Sequence, residues 1–416
     1  MNVLTPLTAH GLREQLLLFG YTASNSQLDK VLPSGSLTLP DKKVIVGEFW
    51  TSKQRQASSL QEISYRACFK PQLPRFFIET FTQPNDIIYD PFAGRGTTAI
   101  EAALLGRIPI SNDINPLSRI LCQPRLRPPN LLEVEERLAN IFSSISRIEP
   151  DMDLSMFYHP QTLAEILHLR QYLLDRGEAL DFVDDWIRMV ATNRLTGHSK
   201  NFFSVYTMPP NQAVSAEEQV RINHKRKQSP TYKNVKEIIL IKTRSLLSDL
   251  TDTDRENLWR VSERALFLIS DARKTKEIAD NSVALTVTSP PFLDVVAYTK
   301  DNWLRGWFNN LDTETVGRKI TMAKAVDVWS DVMHNVMREL FRITKDGGVV
   351  AFEVGEVRNG KVKLEDAVLE VGLGAGFRCD AVMINQQTFT KTSNIWGVSN
   401  NEKGTNTNRI TLLVKK

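Results

Sequence analysis

The sequence predicts an α/β protein: a doubly wound, mainly parallel sheet interrupted by one large, mainly helical, basic insertion. Three observations predict it. Residues 86–106, DIIYDPFAGRGTTAIEAALLG, read as a strand, a glycine turn and a helix closed by Gly106, and RIPISNDINP (107–116) adds a second strand to make a βαβ unit. The strand rhythm then stops, and it resumes at RALFLISDAR (264–273) and SVALTVTSPPF (282–292). Between them, residues 117–262 carry helical patterns and a polar, basic stretch.

The chain divides accordingly. Residues 1–116 hold an N-terminal segment and the first part of the sheet domain, 117–262 form the insertion, and 263–416 complete the sheet. In order, KKVIVGEFW (42–50) reads as a strand, and 59–81 as a loop followed by a helix that starts after Pro74. The helix VDVWSDVMHNVMRELFRIT (326–344) leads into the strand DGGVVAFEVGEV. FRCDAVMINQQTF and NRITLLVKK read as closing strands, an antiparallel pair. With 416 residues, 42% hydrophobic and 24% charged, the chain suits one large domain and a smaller one.

Composition excludes several classes. Cys68, Cys122 and Cys379 are odd in number, far apart and outside any CxxC pair, which speaks against a disulfide framework or a zinc site. There is no HExxH, Walker lysine motif or GxSxG. His198 has no second ligand at zinc spacing, so no metal is expected. No apolar run is long enough to span a membrane, and the N-terminus lacks a signal-peptide layout, so a cytoplasmic location is expected. The net charge of +4 is a mild bias toward anionic partners.

Two short stretches carry chemistry. In DPFAGRGTT, Phe92-x-Gly94-x-Gly96 permits a tight turn and close backbone approach to a ligand at a helix start. It lacks the third glycine of a dinucleotide fingerprint and the lysine of a P-loop. Asp90, Asp113 and Asp271 each end a strand, where an acid can accept ribose hydroxyls or an adenine amine. Singly, each aspartate is as readily explained as a cap; three at successive strand ends beside the glycine turn point to a ligand. The second stretch is Thr288-Ser289-Pro290-Pro291-Phe292. Proline cannot donate to a sheet ladder, so the strand stops here and leaves a stiff turn at its carboxyl end.

Together, DPFAGRGTT and TSPPF resemble the S-adenosylmethionine-dependent amino-methyltransferases of DNA, over roughly residues 60–116 and 264–355. The resemblance implies a Rossmann-like methyltransferase sheet, S-adenosyl-L-methionine as cofactor and duplex DNA as partner. It leaves open a cognate restriction enzyme. It implies cofactor contacts from Asp90, Pro91, Phe92, Ala93, Gly94, Gly96, Thr97 and Thr98, from Asp113 and Ile114, and from Asp271 and Ala272. Phe69 and Lys70, within YRACFKPQLPRFFIETF, resemble the segment that touches the methionine end. Ser289, Pro290, Pro291 and Phe292 become the catalytic turn. The SPP[YF] form is associated mainly with cytosine N4 and less often with adenine N6. RNA as the polymer and a chain that has lost catalysis are further alternatives. Ring-carbon methylation of cytosine requires a nucleophilic cysteine after proline, and no Pro-Cys occurs here.

The turn explains itself chemically. An exocyclic amine is a poor nucleophile because its lone pair is delocalised into the ring. Acceptors at Ser289 Oγ and the Pro290 carbonyl would draw it toward tetrahedral geometry, and Phe292 would stack on a base that has left the duplex. In the insertion, the stretch from Arg188 to Arg244 holds many more cations than acids, with Phe202, Phe203, Tyr206 and Tyr232 interleaved. That is what phosphate neutralisation needs, and Lys200, Lys225, Arg226 and Lys227 are the expected DNA contacts. Asn193, Asn211 and Gln212 are candidate base readers. Trp303 and Trp307, four apart, read as a helical core face, with Tyr298 and Lys300 as lid candidates.

Overall fold

The computed structural model describes residues 28–32, 42–47, 49–50, 57–65, 68–208, 213–291, 298–320, 323, 325–355, 363–386 and 407–416. The strands are β1 (Leu28–Leu32), β2 (Lys42–Gly47), β3 (Ile87–Asp90), β4 (Ile108–Asn112), β5 (Leu266–Leu268), β6 (Val283–Thr288), β7 (Thr344–Gly355), β8 (Arg378–Gln386) and β9 (Thr407–Val414). Around them lie α1 (Gln72–Phe81), α2 (Thr97–Leu104), α3 (Pro116–Cys122), α4 (Leu131–Ile141), α5 (Pro160–Arg176), α6 (Phe182–Arg194) and α7 (Ala216–Arg226). They continue with α8 (Val235–Leu246), α9 (Asp252–Ser262), α10 (Tyr298–Phe308), α11 (Thr313–Lys319), α12 (Val326–Ile343) and α13 (Leu364–Gly374).

The described strands form a single sheet in the order β1-β2-β8-β9-β7-β6-β3-β4-β5. From β5 through β7 all neighbours are parallel, whereas β9 runs antiparallel to both β7 and β8. The strand order reverses at β3, which has β4 on one side and β6 on the other. The carboxyl ends of β3 and β6 therefore flank a switch point, the usual ligand crevice of an open α/β sheet. This is the expected doubly wound, Rossmann-like sheet, closed by the expected antiparallel pair. The short strand β1, antiparallel to β2 at the sheet edge, is an addition the sequence pattern did not announce.

Local sequence explains the central elements. Every residue of β6 is buried, as a central parallel strand requires, and Pro290-Pro291 ends it. Helix α12 turns Trp329, Met333, Val336, Met337, Leu340 and Ile343 inward at helical spacing, against one face of the sheet. Helix α1 starts at Gln72, three residues before the expected start after Pro74. Proline is tolerated there because the first-turn N–H groups have no intrahelical partner in any case.

The stretch 117–262 lies in the crossover from β4 to β5 and is helical as expected. It does not build a core of its own. Ala99, Ile100 and Ala103 of α2 share one apolar cluster with Leu138 of α4, Ile166 of α5, Trp186 of α6 and Ile239 of α8, and Leu304 and Trp307 of α10 join it. The helical layer is thus continuous with the sheet domain, and Trp307 faces the core as its spacing implied.

Candidate active site

The glycine turn is held from several sides. Gly94 (φ 53°) and Gly96 (φ 79°) take left-handed conformations that favour glycine, and Gly96 is the N-cap of α2. A Cβ on Gly96 would sit 2.2 Å from Cys122 Sγ, so substitution there meets both strain and collision. The buried Arg125 guanidinium donates to the Arg95 carbonyl inside the turn and to the carbonyls of Leu60 (2.9 Å) and Leu121 (2.9 Å). Burial pulls its pKa down to about 10. Arg95 in turn donates to the carbonyls of Gln61 (3.0 Å) and Ile63 (2.8 Å). The segment before Tyr65 is thereby stitched to the turn, and Tyr65 meets Gly94 across the cleft wall.

A cleft of about 950 Å³, open to solvent, lies at the carboxyl ends of β3, β4, β5 and β6. Pro91, Phe92 and Gly94 line it from the glycine turn, Asp113 and Ile114 from the end of β4, Asp271 and Ala272 from the end of β5, and Ser289 and Pro291 from the end of β6. The two sequence motifs, about 190 residues apart, are brought to one cavity. Asp113 accepts the N–H of Gly94 at Oδ2 (2.9 Å) and of Asn115 at Oδ1 (2.9 Å), so it braces the turn while facing the cleft. Burial pushes its carboxyl up to about 6. Asp271 forms a fork with Arg273, whose Nε lies 2.9 Å from Oδ1 and whose Nη2 lies 2.5 Å from Oδ2, and both are partly exposed at the rim. That hydrogen-bonded ion pair lowers the Asp271 pKa.

Asp90 is buried below the floor of the cleft, where desolvation raises its carboxyl to about 6. It accepts the Thr288 hydroxyl (2.7 Å) and the Phe92 N–H (3.1 Å). Thr98 donates to the Val287 carbonyl (3.1 Å), and Thr97 accepts from Arg95 Nε (3.1 Å). Asp90, Ala93, Gly96, Thr97 and Thr98 therefore shape the turn and lie outside the cleft lining. On the catalytic side, Pro290 is buried, and the Pro291 carbonyl accepts the indole N–H of Trp329 (3.1 Å). Phe292 and the side chain of Tyr298 lie outside the described residues, and Lys300 is exposed.

Phe69 and Lys70 do not line this cleft. Phe69 packs on the apolar cluster that holds Leu285 and Val287 of β6, and Lys70 Nζ donates to the Trp50 carbonyl (2.7 Å). Sequence reasoning in turn missed Tyr65, Asn115, Ser270, Arg273, Trp329 and Met333, all of which line the cavity. Asn115 carried a visible signal, as an N-cap before Pro116 whose side chain accepts the Leu117 N–H. Asn112 bonds the carbonyls of Pro91 and Ser270 and accepts the Ser270 N–H (3.0 Å), locking the ends of β3 and β5 together.

The basic segment is only partly a surface. Lys200, Lys225, Arg226 and Lys227 are exposed, and the Arg226 guanidinium lies 3.7 Å over the Tyr206 ring. Arg194 and Lys242 are instead buried: Arg194 stacks on Phe202 at 4.0 Å, and Lys242 reaches Glu62 at 3.3 Å. Arg188 donates to Asn309 (2.8 Å). Asn193, expected as a base reader, is 1% exposed and donates to the Ser64 carbonyl, and Phe202 and Phe203 are core residues. Asn211 and Gln212 lie outside the described residues. Among the described residues no group of three His, Cys, Asp or Glu side chains is arranged to hold a metal, and no helix is long and apolar enough to cross a membrane.

Fold and site together define a doubly wound α/β domain with a ligand cleft at its switch point. Residues 21–118 match the family described as DNA methylase, the N6/N4 methyltransferases. The chain is 25% identical over 297 residues to the Type II methyltransferase M.MvaI of Kocuria varians, covering 65% of this chain and 60% of that one. It is 25% identical over 273 residues to the Type II methyltransferase M.BsoBI of Geobacillus stearothermophilus, covering 57% of this chain and 50% of that one. It spans about half to three fifths of the length of these two relatives. Among solved structures, the rRNA methyltransferase aviRa of Streptomyces viridochromogenes covers 88% of this chain and 94% of its own at 11% identity and a TM-score of 0.34, too low to carry an argument. The likeness to S-adenosylmethionine-dependent DNA amino-methyltransferases thus rests on the family match and the curated relatives as well as on the motifs.

Proposed function

We propose that this chain transfers a methyl group from S-adenosyl-L-methionine to the N4 amine of cytosine in a recognised site of duplex DNA, with the base flipped out of the helix. The observation that carries this reading is the Ser289-Pro290-Pro291 turn at the same cleft as the glycine turn, the two joined by the Thr288–Asp90 hydrogen bond. The cavity fits the cofactor chemically. Gly94 leaves room for close approach, Asp113 offers carboxylate lone pairs where a ribose would lie, and Asp271 and Ala272 stand where an adenine edge would end. When bound, the cofactor supplies an electrophilic methyl on a sulfonium.

The chain's own residues then do the rest. Ser289 Oγ and the Pro290 carbonyl accept hydrogen bonds from the two amine N–H groups and bias the nitrogen toward attack. Trp329 fixes the turn by its bond to the Pro291 carbonyl, so the acceptors need no reorganisation. The exposed Lys225, Arg226 and Lys227 supply phosphate contacts that position without reading sequence. A cytoplasmic location and a companion restriction enzyme fit the Type II relatives' class and belong to the same proposal. The test is incubation with labelled S-adenosylmethionine and either DNA or RNA, followed by nucleoside chromatography. Label in N4-methyl-2'-deoxycytidine from DNA is expected. Label in N6-methyladenine would move the reading to adenine, and label from RNA alone would overturn the polymer.

A further inference from the structure

Methylating a neutral amine leaves a proton to be removed, and the Ser-Pro-Pro turn offers acceptors but no base. Asp90, buried on one side, is already committed to Thr288 and the Phe92 N–H, which leaves Glu353 on the neighbouring strand. Strands β6 and β7 are parallel, with Val287 paired to Ala351 and Thr288 to Phe352. Leu285 and Val287 of β6 share an apolar cluster with Val349 and Ala351 of β7, on one face of the sheet. By strand alternation, Ser289 and Glu353 are the next positions on that face, side by side at the carboxyl ends of their strands.

Glu353 is 4% exposed in an otherwise apolar run, VVAFEVG. Its Oε1 accepts the Asn408 side-chain N–H from β9 (2.8 Å), and its Oε2 has no hydrogen-bond partner among the described residues. The charged group that faces it among the described residues is Lys70, whose ammonium also serves the Trp50 carbonyl (2.7 Å). Burial raises the Glu353 carboxyl to about 7, with Asn408 and Lys70 opposing the rise. A strand interior gains nothing from a half-partnered carboxyl, since burying one costs free energy that valine would not incur. A group poised near neutrality with one free oxygen is what proton acceptance needs.

We infer that Glu353 is the general base of methyl transfer, taking through Oε2 the proton that the amine sheds. The amine lone pair forms the N–C bond, the C–S bond breaks with its electron pair left on sulfur, and the surplus proton on nitrogen passes to the carboxylate, which releases it to solvent as product leaves. Lys70 is a positioning residue here, holding the carboxylate's charge. This inference rests on the functional reading above.

The experiment measures kcat at saturating S-adenosylmethionine on a duplex DNA substrate, over a pH series from about 5.5 to 9, for wild type and Glu353→Gln. Glutamine keeps an oxygen for Asn408 and removes a buried charge, so the variant is expected to fold, and calorimetry should show unchanged cofactor affinity. Wild-type kcat should rise through a limb near 7, the value set by burial of Glu353. Glu353→Gln should lose about 10²-fold or more in kcat together with that limb. A folded variant with near wild-type kcat and the same limb overturns the inference and reduces Glu353 to a structural group. Wild type that transfers no methyl at all would instead bring down the functional reading, and the inference with it.

Discussion

The Thr288 hydroxyl donates a 2.7 Å hydrogen bond to the Asp90 carboxylate, joining residues 198 apart in sequence across the two central strands. Both are buried. The bond ties the last residue before the Ser-Pro-Pro turn to the last residue before the glycine turn, so the two halves of the cleft share one anchor. Thr288→Val keeps the shape and removes the donor. It should cost about 1–3 kcal/mol of stability, because a buried carboxyl loses a partner. Turnover should fall while the cofactor dissociation constant moves less. Denaturant unfolding and steady-state kinetics on the same preparation check this; unchanged values in both would show that the anchor is dispensable.

Ser289→Ala tests the acceptor itself. Ser289 lines the cleft at the carboxyl end of β6. Loss of a preorganised acceptor should lower kcat by about 10²-fold or more, with cofactor affinity nearly unchanged. Single-turnover kinetics separate the chemical step from binding, and a near wild-type rate would remove this side chain from the mechanism.

Asp113→Ala should weaken S-adenosylmethionine binding more than DNA binding. Asp113 faces the cleft and holds the Gly94 N–H, so the substitution would remove the proposed ribose contact and loosen the turn together. Calorimetry should show the loss, and an unchanged cofactor affinity in folded protein would count decisively against this role.

The two carboxyls held raised by desolvation at the glycine turn also set a pH dependence. Asp90 and Asp113 titrate near 6 in the folded chain, above the unfolded value of about 3.9. The folded state therefore binds more protons than the unfolded one between about 4 and 6, and the stability these groups contribute is lost as pH rises through that window. A cationic cofactor favours the ionised forms, so its affinity should rise over the same range. Calorimetric melting of the ligand-free and cofactor-bound protein across that range checks both signs, and Asp90→Asn should flatten the ligand-free trend.

What was legible in the sequence, and what was not, follows from range. The β3–turn–α2 unit and the end of β6 announce themselves locally, because Gly96 and Pro290-Pro291 impose their geometry on immediate neighbours. The joining of the two motifs was expected only from their resemblance to a family. Arg125 bonding into the glycine turn, Asn112 linking β3 to β5, and the register that brings Glu353 in line with Ser289 depend on strand order, which no local pattern encodes. The basic stretch failed in a different way. Charge counts do not tell Lys225, which is exposed, from Lys242, whose ammonium is buried beside Glu62. Phe69 and Lys70 were placed by resemblance; neither lines the cleft, and both lie on the side of the sheet that carries Leu285 and Val287.

That distinction sharpens the test of DNA binding. Of the cations between Arg188 and Arg244, Arg194 and Lys242 are committed to the interior, so changing them would unsettle the fold and reveal little about DNA. Lys225, Arg226 and Lys227 sit at the exposed end of α7, where Arg226 rests on Tyr206. Changing all three to Gln should weaken duplex binding and flatten its salt dependence. The log–log slope should fall by about 0.9 for every phosphate that is no longer neutralised. Cofactor affinity should stay as it was, because none of the three lines the cleft. Arg226 adds a finer expectation: Arg226→Lys keeps the charge but gives up the planar stack on Tyr206, so it should retain the salt slope and lose part of the affinity. Affinity measured across a salt series for wild type, the single variant and the triple variant decides the matter. A slope unchanged in the triple variant would mean that these cations are a solvated helix end, and that the duplex is held elsewhere on the chain.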